Sequence, residues 1–275
     1  MFNYYLHTAF LNNASLTEIQ GSLKDLNEIV FGDAKEVYDQ FYKENDLKTL
    51  SYYDGTPMIQ ILFNELPDTT FRFSVLPLLL KRLLSVDPVT ESHSSLEASQ
   101  NPAKKCAYWG ASFNAKEYYH LSSVNDYRSY KEYVENNVSM DDFWMLRKFL
   151  FKKIVLCDQV EKQVGSIKNM PDFIGVVNNL KGLDKYAQSW VNGGFNMAEL
   201  NRYVEASYES EPTMKDKKCR NKRMMMINKV LGKQLCEPHV KVDNKLRFHF
   251  YPHDASKTIY VAYIGKHLPT IDFKH

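Results

Sequence analysis

Imidazole, phenol and cationic side chains alternate with apolar ones near the carboxyl end of this 275-residue chain, and that is where its residue types could do chemistry. From Lys245 to Tyr251 the apolar Leu246, Phe248 and Phe250 alternate strictly with Lys245, Arg247, His249 and Tyr251. That two-residue period marks a β-strand with one buried face. His239-Val240-Lys241-Val242 precedes it and Thr258 to Gly265 follows, so the three segments predict an antiparallel meander. Arginine and lysine can hold a phosphate and stabilise charge developing on it, while histidine and tyrosine can move protons. Ribonucleases that need no metal use this inventory, activating a ribose 2′-hydroxyl to attack its own phosphodiester.

Parity fixes the expected register, because a slip of one residue would turn every apolar side chain to the wrong face. Val242 is set opposite Leu246 and Val240 opposite Phe248, which pairs Lys241 with Arg247 and His239 with His249. In the second hairpin, Phe250 opposite Ile259 and Phe248 opposite Val261 sets His249 opposite Tyr260. Side chains directly opposed on one face lie about 5 Å apart at Cβ, close enough to act on one group. The outer face therefore gathers His239, Lys241, Arg247, His249 and Tyr260 as candidate catalytic residues. An ordinary solvated sheet face explains the same alternation, but opposing cations across a strand pair is unusual for stability alone.

A second feature lies just upstream. Between Lys215 and Lys233 stand Lys215, Lys217, Lys218, Arg220, Lys222, Arg223, Lys229 and Lys233 against one acid, Asp216. A local field of that sign attracts phosphate backbones or an acidic protein, and a solvated basic face is the competing explanation. The first six of these cations are the candidate nucleic-acid contacts. The overall charge of +2 indicates no partner by itself.

The elements that must position these groups are read from periodicity. Residues 1–100 read as mainly helical, and 101–275 as an α+β region ending in the antiparallel sheet packed on helices. Leu16, Ile19, Leu23, Leu26, Ile29 and Val30 recur at helical spacing behind a Ser15/Glu18 capping box. Asp33 and Glu36 repeat that spacing before Val37, Tyr38, Phe41 and Tyr42, predicting a second short helix, and Met58 to Phe63 reads as a strand. Val86 to Lys105, rich in turn formers, is the candidate linker. Tyr127, Tyr130 and Tyr133 at helical spacing read as half-buried core rather than a base-stacking platform. Ser139 and Asp142 open a further helix, followed by shorter pieces at Pro171 to Leu180, Asp184 to Val191 and Met197 to Ser207.

With 44% hydrophobic and 25% charged residues the composition is that of a globular protein. No run approaches the roughly 20 apolar residues of a membrane span and the start lacks signal-peptide features, so a cytoplasmic protein without a membrane partner is expected. Cys106, Cys157, Cys219 and Cys236 are scattered without a C-x-x-C pair and are expected to be reduced and mostly buried. Phosphate-loop, dinucleotide, zincin and serine-hydrolase motifs are absent, so no cofactor and no metal is expected.

The closing strands carry a resemblance. Asn244-Lys245-Leu246-Arg247, and then Ile259-Tyr260-Val261-Ala262-Tyr263-Ile264-Gly265-Lys266-His267, resemble the last strands of HigB/RelE-like toxins. The resemblance implies a small α plus β sheet domain that cleaves messenger RNA, often on the ribosome, and it adds His267 to the candidate catalytic residues beside Arg247. It covers about the last 30 to 40 residues, and Leu268-Pro269-Thr270 departs from the usual ending. A vaguer likeness runs through Phe143-Trp144-Met145-Leu146-Arg147, Ser207-Tyr208-Glu209-Ser210, His239-x-Lys241, Arg247-x-His249-Phe250 and the Tyr263 to Thr270 tail. It is to an uncharacterised bacterial group associated with phage defence. Two functions follow as expectations. One is a toxin-like endoribonuclease with RNA, more than DNA, or the ribosome as target and an antitoxin or defence subunit as partner. The other is a non-catalytic subunit that binds nucleic acid or protein in a defence complex.

Overall fold

Phe2-Asn3-Tyr4-Tyr5-Leu6 is buried at all five positions in the computed structural model, as a strand covered on both faces must be. This strand, β1 (Phe2–Leu6), pairs in parallel with β2 (Asp39–Glu44) and β4 (Lys105–Trp109). β3 (Leu84–Val86) and β5 (His120–Leu121) complete an all-parallel sheet in the order β3-β2-β1-β4-β5. The structure describes residues 2–32, 35, 38–45, 47, 50–52, 54–87, 93–100, 105–243 and 245–272. Helix Leu16–Phe31 starts at the expected Ser15/Glu18 capping box. It is tied to the end of β4 by Ser22 Oγ, which donates to the Gly110 carbonyl at 2.7 Å, and by Trp109 Nε1, which donates to the Ser22 carbonyl at 3.1 Å. Tyr127 and Tyr130, on helix Val124–Asn136, are buried as core.

The amino-terminal region carries more helix than strand, as expected, and it also supplies three strands of the parallel sheet. β1, buried at every position, shows no alternation to read. Three expectations change here. The second short helix is instead β2, with Asp33, Glu36 and Val37 lying outside the described residues. Met58 to Phe63 is helical rather than a strand. The chain forms two compact units, Met1–Val138 and Ser139–His275. Residues 86–105 do not part them, since β3 and β4 on either side belong to one sheet. Within that stretch His93–Gln100 is helical, and residues 88–92 and 101–104 lie outside the described residues.

The second unit carries a mixed sheet in the order β6-β12-β11-β10-β7, built from β6 (Ile154–Leu156), β7 (Ala206–Ser207), β10 (His239–Lys241), β11 (Leu246–His253) and β12 (Thr258–Lys266). β6 runs parallel to β12, and the other pairs are antiparallel. A separate hairpin joins β8 (Met224–Asn228) to β9 (Gly232–Leu235). Its tip turns on Gly232 in the left-handed region at φ +63°, with Asn228 Oδ1 accepting from the Val230 and Leu231 amides. Helix Met170–Ser189 runs unbroken through what the sequence divides into two pieces. Its buried Asp184 accepts from the Lys153 and Ile154 amides at 2.7 and 2.9 Å and so anchors the start of β6. At Gly182 a Cβ would lie 2.5 Å from Val204 Cγ1, so the turn leading into β7 can sit directly on the helix. Among the described residues no helix is long and apolar enough to cross a membrane.

The first hairpin has the expected register, with His239 opposite His249, Val240 opposite Phe248 and Lys241 opposite Arg247. Asn244 in its loop lies outside the described residues. The second hairpin differs. Phe250 faces Val261, Phe248 faces Ile264 and His249 faces Tyr263, with an irregularity between His249 and Phe250. The shift still keeps Phe248, Phe250, Val261 and Ile264 buried, so parity could not distinguish the two alignments.

Candidate functional site

Part of the polar face of the carboxyl-terminal sheet is covered rather than turned to water. Ile227 on β8 and Cys236 after β9 pack with Cys157 and Ala262, and Met225, Leu231, Tyr251 and Tyr260 close around them. Segment 209–236 thereby lies over part of the face expected to be solvated. His239 keeps 7% of its surface exposed and His249 1%. Their rings are 5.3 Å apart, tilted by 36°.

Two further side chains enter from that covering segment. Asn201 fixes β7, accepting from the Ala206 amide through Oδ1 and donating to the Ala206 carbonyl through Nδ2. β7 pairs Ser207 with His239, which delivers Glu209 to the imidazoles two residues later. Arg223, fully buried, donates through Nε to Glu209 Oε1 at 2.7 Å and places Nη2 2.6 Å from the same oxygen. Its Nη1 donates to the Cys219 carbonyl at 2.9 Å and the Pro269 carbonyl at 3.1 Å, which holds the carboxyl-terminal tail beside the cluster. Glu209 Oε1 also lies 3.8 Å from His239 Nδ1 and 3.9 Å from His249 Nε2.

Burial decides the charge of the two imidazoles. Desolvation pulls the proton affinity of His239 below its ordinary value, against the opposing pull of the Glu209 carboxylate. At the more deeply buried His249, desolvation and then the neighbouring His239 and Arg223 push it well down. Both rings are therefore neutral near pH 7. His249 Nδ1 donates to the Cys236 carbonyl at 3.1 Å, which leaves Nε2 as an acceptor. His239 Nε2 is hydrogen-bonded to Ser207 Oγ at 3.2 Å, and its buried Nδ1 makes no hydrogen bond of normal geometry, while the Glu237 backbone near the ring raises its proton affinity.

Of the sequence-derived candidates, His239 and His249 meet at this cluster, and Arg247 and His267 lie near enough for their charges to act on His239. His267 Nδ1 donates to the Leu268 carbonyl at 2.7 Å, and Arg247 donates to the carbonyls of Asp243 and Leu246. Lys241 is paired with Glu205 at 2.7 Å toward the solvent side. Tyr260 does not join them. It faces Tyr251 under the covering hairpin, and the altered register gives its place opposite His249 to Tyr263, whose hydroxyl donates to the Lys266 carbonyl. Lys217, Lys218, Arg220 and Lys222 are exposed on and around helix Lys217–Lys222, while Lys215 pairs with Glu211 at 2.6 Å. Arg223 is corrected from a surface contact to an interior one. Glu209 was missed as a site residue, because an isolated glutamate in a serine-rich stretch has no periodicity that marks it as buried. No family model, curated protein or solved structure matches the chain.

Proposed function

We propose that the chain is a toxin-like effector of a bacterial defence or toxin–antitoxin system that cleaves RNA without a metal, with the Glu209, Arg223, His239 and His249 cluster as its centre. One observation carries this reading. Four side chains from separate segments converge, and the buried Nδ1 of His239 faces a carboxylate oxygen 3.8 Å away and makes no hydrogen bond of normal geometry. Two acceptors at that separation can both reach one hydroxyl oxygen at hydrogen-bonding distance. His239 Nδ1 takes the proton of a ribose 2′-hydroxyl, and Glu209 stabilises the imidazolium that forms. The 2′-oxygen bonds to phosphorus as the bond to the 5′-oxygen breaks, Arg247 and Lys241 bind the phosphate, and His267 gives a proton to the leaving oxygen. The products are a 2′,3′-cyclic phosphate and a 5′-hydroxyl, which requires RNA rather than DNA. A fold of RelE-like type, a cytoplasmic site of action and an antitoxin or defence-complex partner belong to the same reading.

The test is cleavage of RNA by the full chain in EDTA, with the ends of the products analysed. His239→Ala and Arg247→Ala are each expected to lower the rate by about 100-fold or more and to relieve growth arrest on induction. Undiminished cleavage by folded His239→Ala would overturn the assignment. A second reading, a binding subunit without catalysis, is favoured by the 1% exposure of His249 and by the exposed row Lys217, Lys218, Arg220 and Lys222. It accounts for RNA binding that continues without any product.

A further inference from the structure

The centre of the cluster is a set of electron-pair donors aimed at one another. His249 uses Nδ1–H on the Cys236 carbonyl, so the lone pair on Nε2 points toward Glu209 Oε1. His239 uses Nε2 on Ser207 and turns toward the same oxygen a buried Nδ1 that makes no hydrogen bond of normal geometry. One ligand atom from each of Glu209, His239 and His249 lies within 4.8 Å of the others. At 3.8 and 3.9 Å these contacts are too long for hydrogen bonds, and with Nε2–H of His239 donated to Ser207 two imidazole lone pairs face a carboxylate oxygen that, among the described residues, only the Arg223 guanidinium neutralises.

We propose that Glu209 Oε, His239 Nδ1 and His249 Nε2 form a binding site for a divalent transition ion of the zinc class. Two imidazole nitrogens and one carboxylate are a donor set that suits zinc and its first-row neighbours and disfavours magnesium and calcium, which take oxygen ligands. The surrounding bonds are those that ligands require. Each imidazole has its other nitrogen fixed, by Cys236 or Ser207, and the carboxylate is held by Arg223. The guanidinium beside Glu209 competes with the ion for the carboxylate's charge, so the ion is held more weakly than at a structural zinc centre and exchanges. On the cleavage reading above, which this half of the inference rests on, occupancy takes the lone pair of His239 and switches the nuclease off.

Full-length protein, treated with EDTA and desalted, is titrated with ZnCl2 by calorimetry and followed by thermal unfolding. One equivalent is expected to bind and raise the unfolding temperature, MgCl2 is expected to do neither, and His253→Ala is expected to leave binding intact. His239→Ala, His239→Asn and His249→Ala, each verified as folded by circular dichroism, are expected to weaken zinc at least tenfold. Absence of saturable binding, or binding unchanged in both His239 variants, overturns the site. Binding that leaves RNA cleavage unaffected overturns the switch alone. A zinc-free protein that fails to cleave overturns the cleavage reading and the switch together, while the isotherm still decides the site.

Discussion

Glu209 and Arg223 hold opposite charges where almost no water reaches, with 6% and 0% of their side chains exposed. Such a pair adds little net stability relative to a well-packed apolar pair, yet removing one partner strands the other charge in a low-dielectric interior. Arg223 also satisfies the Cys219 and Pro269 carbonyls, and that planar, multi-donor geometry is beyond a lysine. Arg223→Met is therefore expected to destabilise the protein by roughly 3–5 kcal/mol. Adding Glu209→Leu to it is expected to recover a large part of that loss. Urea unfolding of the two variants measures both effects, and a single variant as stable as the parent would remove the pair from any structural role.

At the scale of elements, helix Val124–Asn136 begins at Ser123, whose side chain accepts from the Asp126 amide. Burial pushes the Asp126 carboxyl upward, but hydrogen bonds from Lys116, Ser122 and Ser123 outweigh it and hold the group below its ordinary value. A carboxyl depressed in the folded state contributes stability above its unfolded value of 3.8 and loses it as pH falls through the lower folded value. Asp126→Asn is expected to lower stability at pH 7 and to flatten the acid limb of the stability–pH curve below pH 3.8. Equilibrium unfolding across that range measures it, and an unchanged acid limb would show that the helix start does not depend on this charge. The Ser15/Glu18 box and the Ser139/Asp142 start are also visible in the sequence, because caps act within one turn and need no distant partner.

For the whole molecule, the basic stretch and the buried cluster are separable. Lys217, Lys218, Arg220 and Lys222 are exposed, whereas the imidazoles lie inside. If the exposed row tracks a nucleic-acid backbone, replacing all four with alanine flattens the slope of log affinity against log salt by up to about 3 for single-stranded RNA. The same variant is expected to leave zinc binding at the interior site unchanged. Filter binding over a salt series provides the measurement, and an unaltered slope would place the backbone contacts elsewhere.

By itself the sequence determined the closing meander, the pairing of His239 with His249 and of Lys241 with Arg247, and the helix starts at Ser15 and Ser139. These depend on alternation, turns and caps, which are local. Tertiary structure alone decided that Phe2–Leu6 and Asp39–Glu44 are strands of a parallel sheet, since Phe2–Leu6, covered on both faces, has no polar side to reveal its period. It decided equally that Tyr263 rather than Tyr260 faces His249, because a register irregularity preserves the burial pattern while moving each partner. Above all it buried His239 and His249, on a face whose alternation reads as solvated. Glu209 stands 30 residues before His239 and 40 before His249 in the chain, and which polar residues become neighbours across such a distance is fixed only when the layers pack.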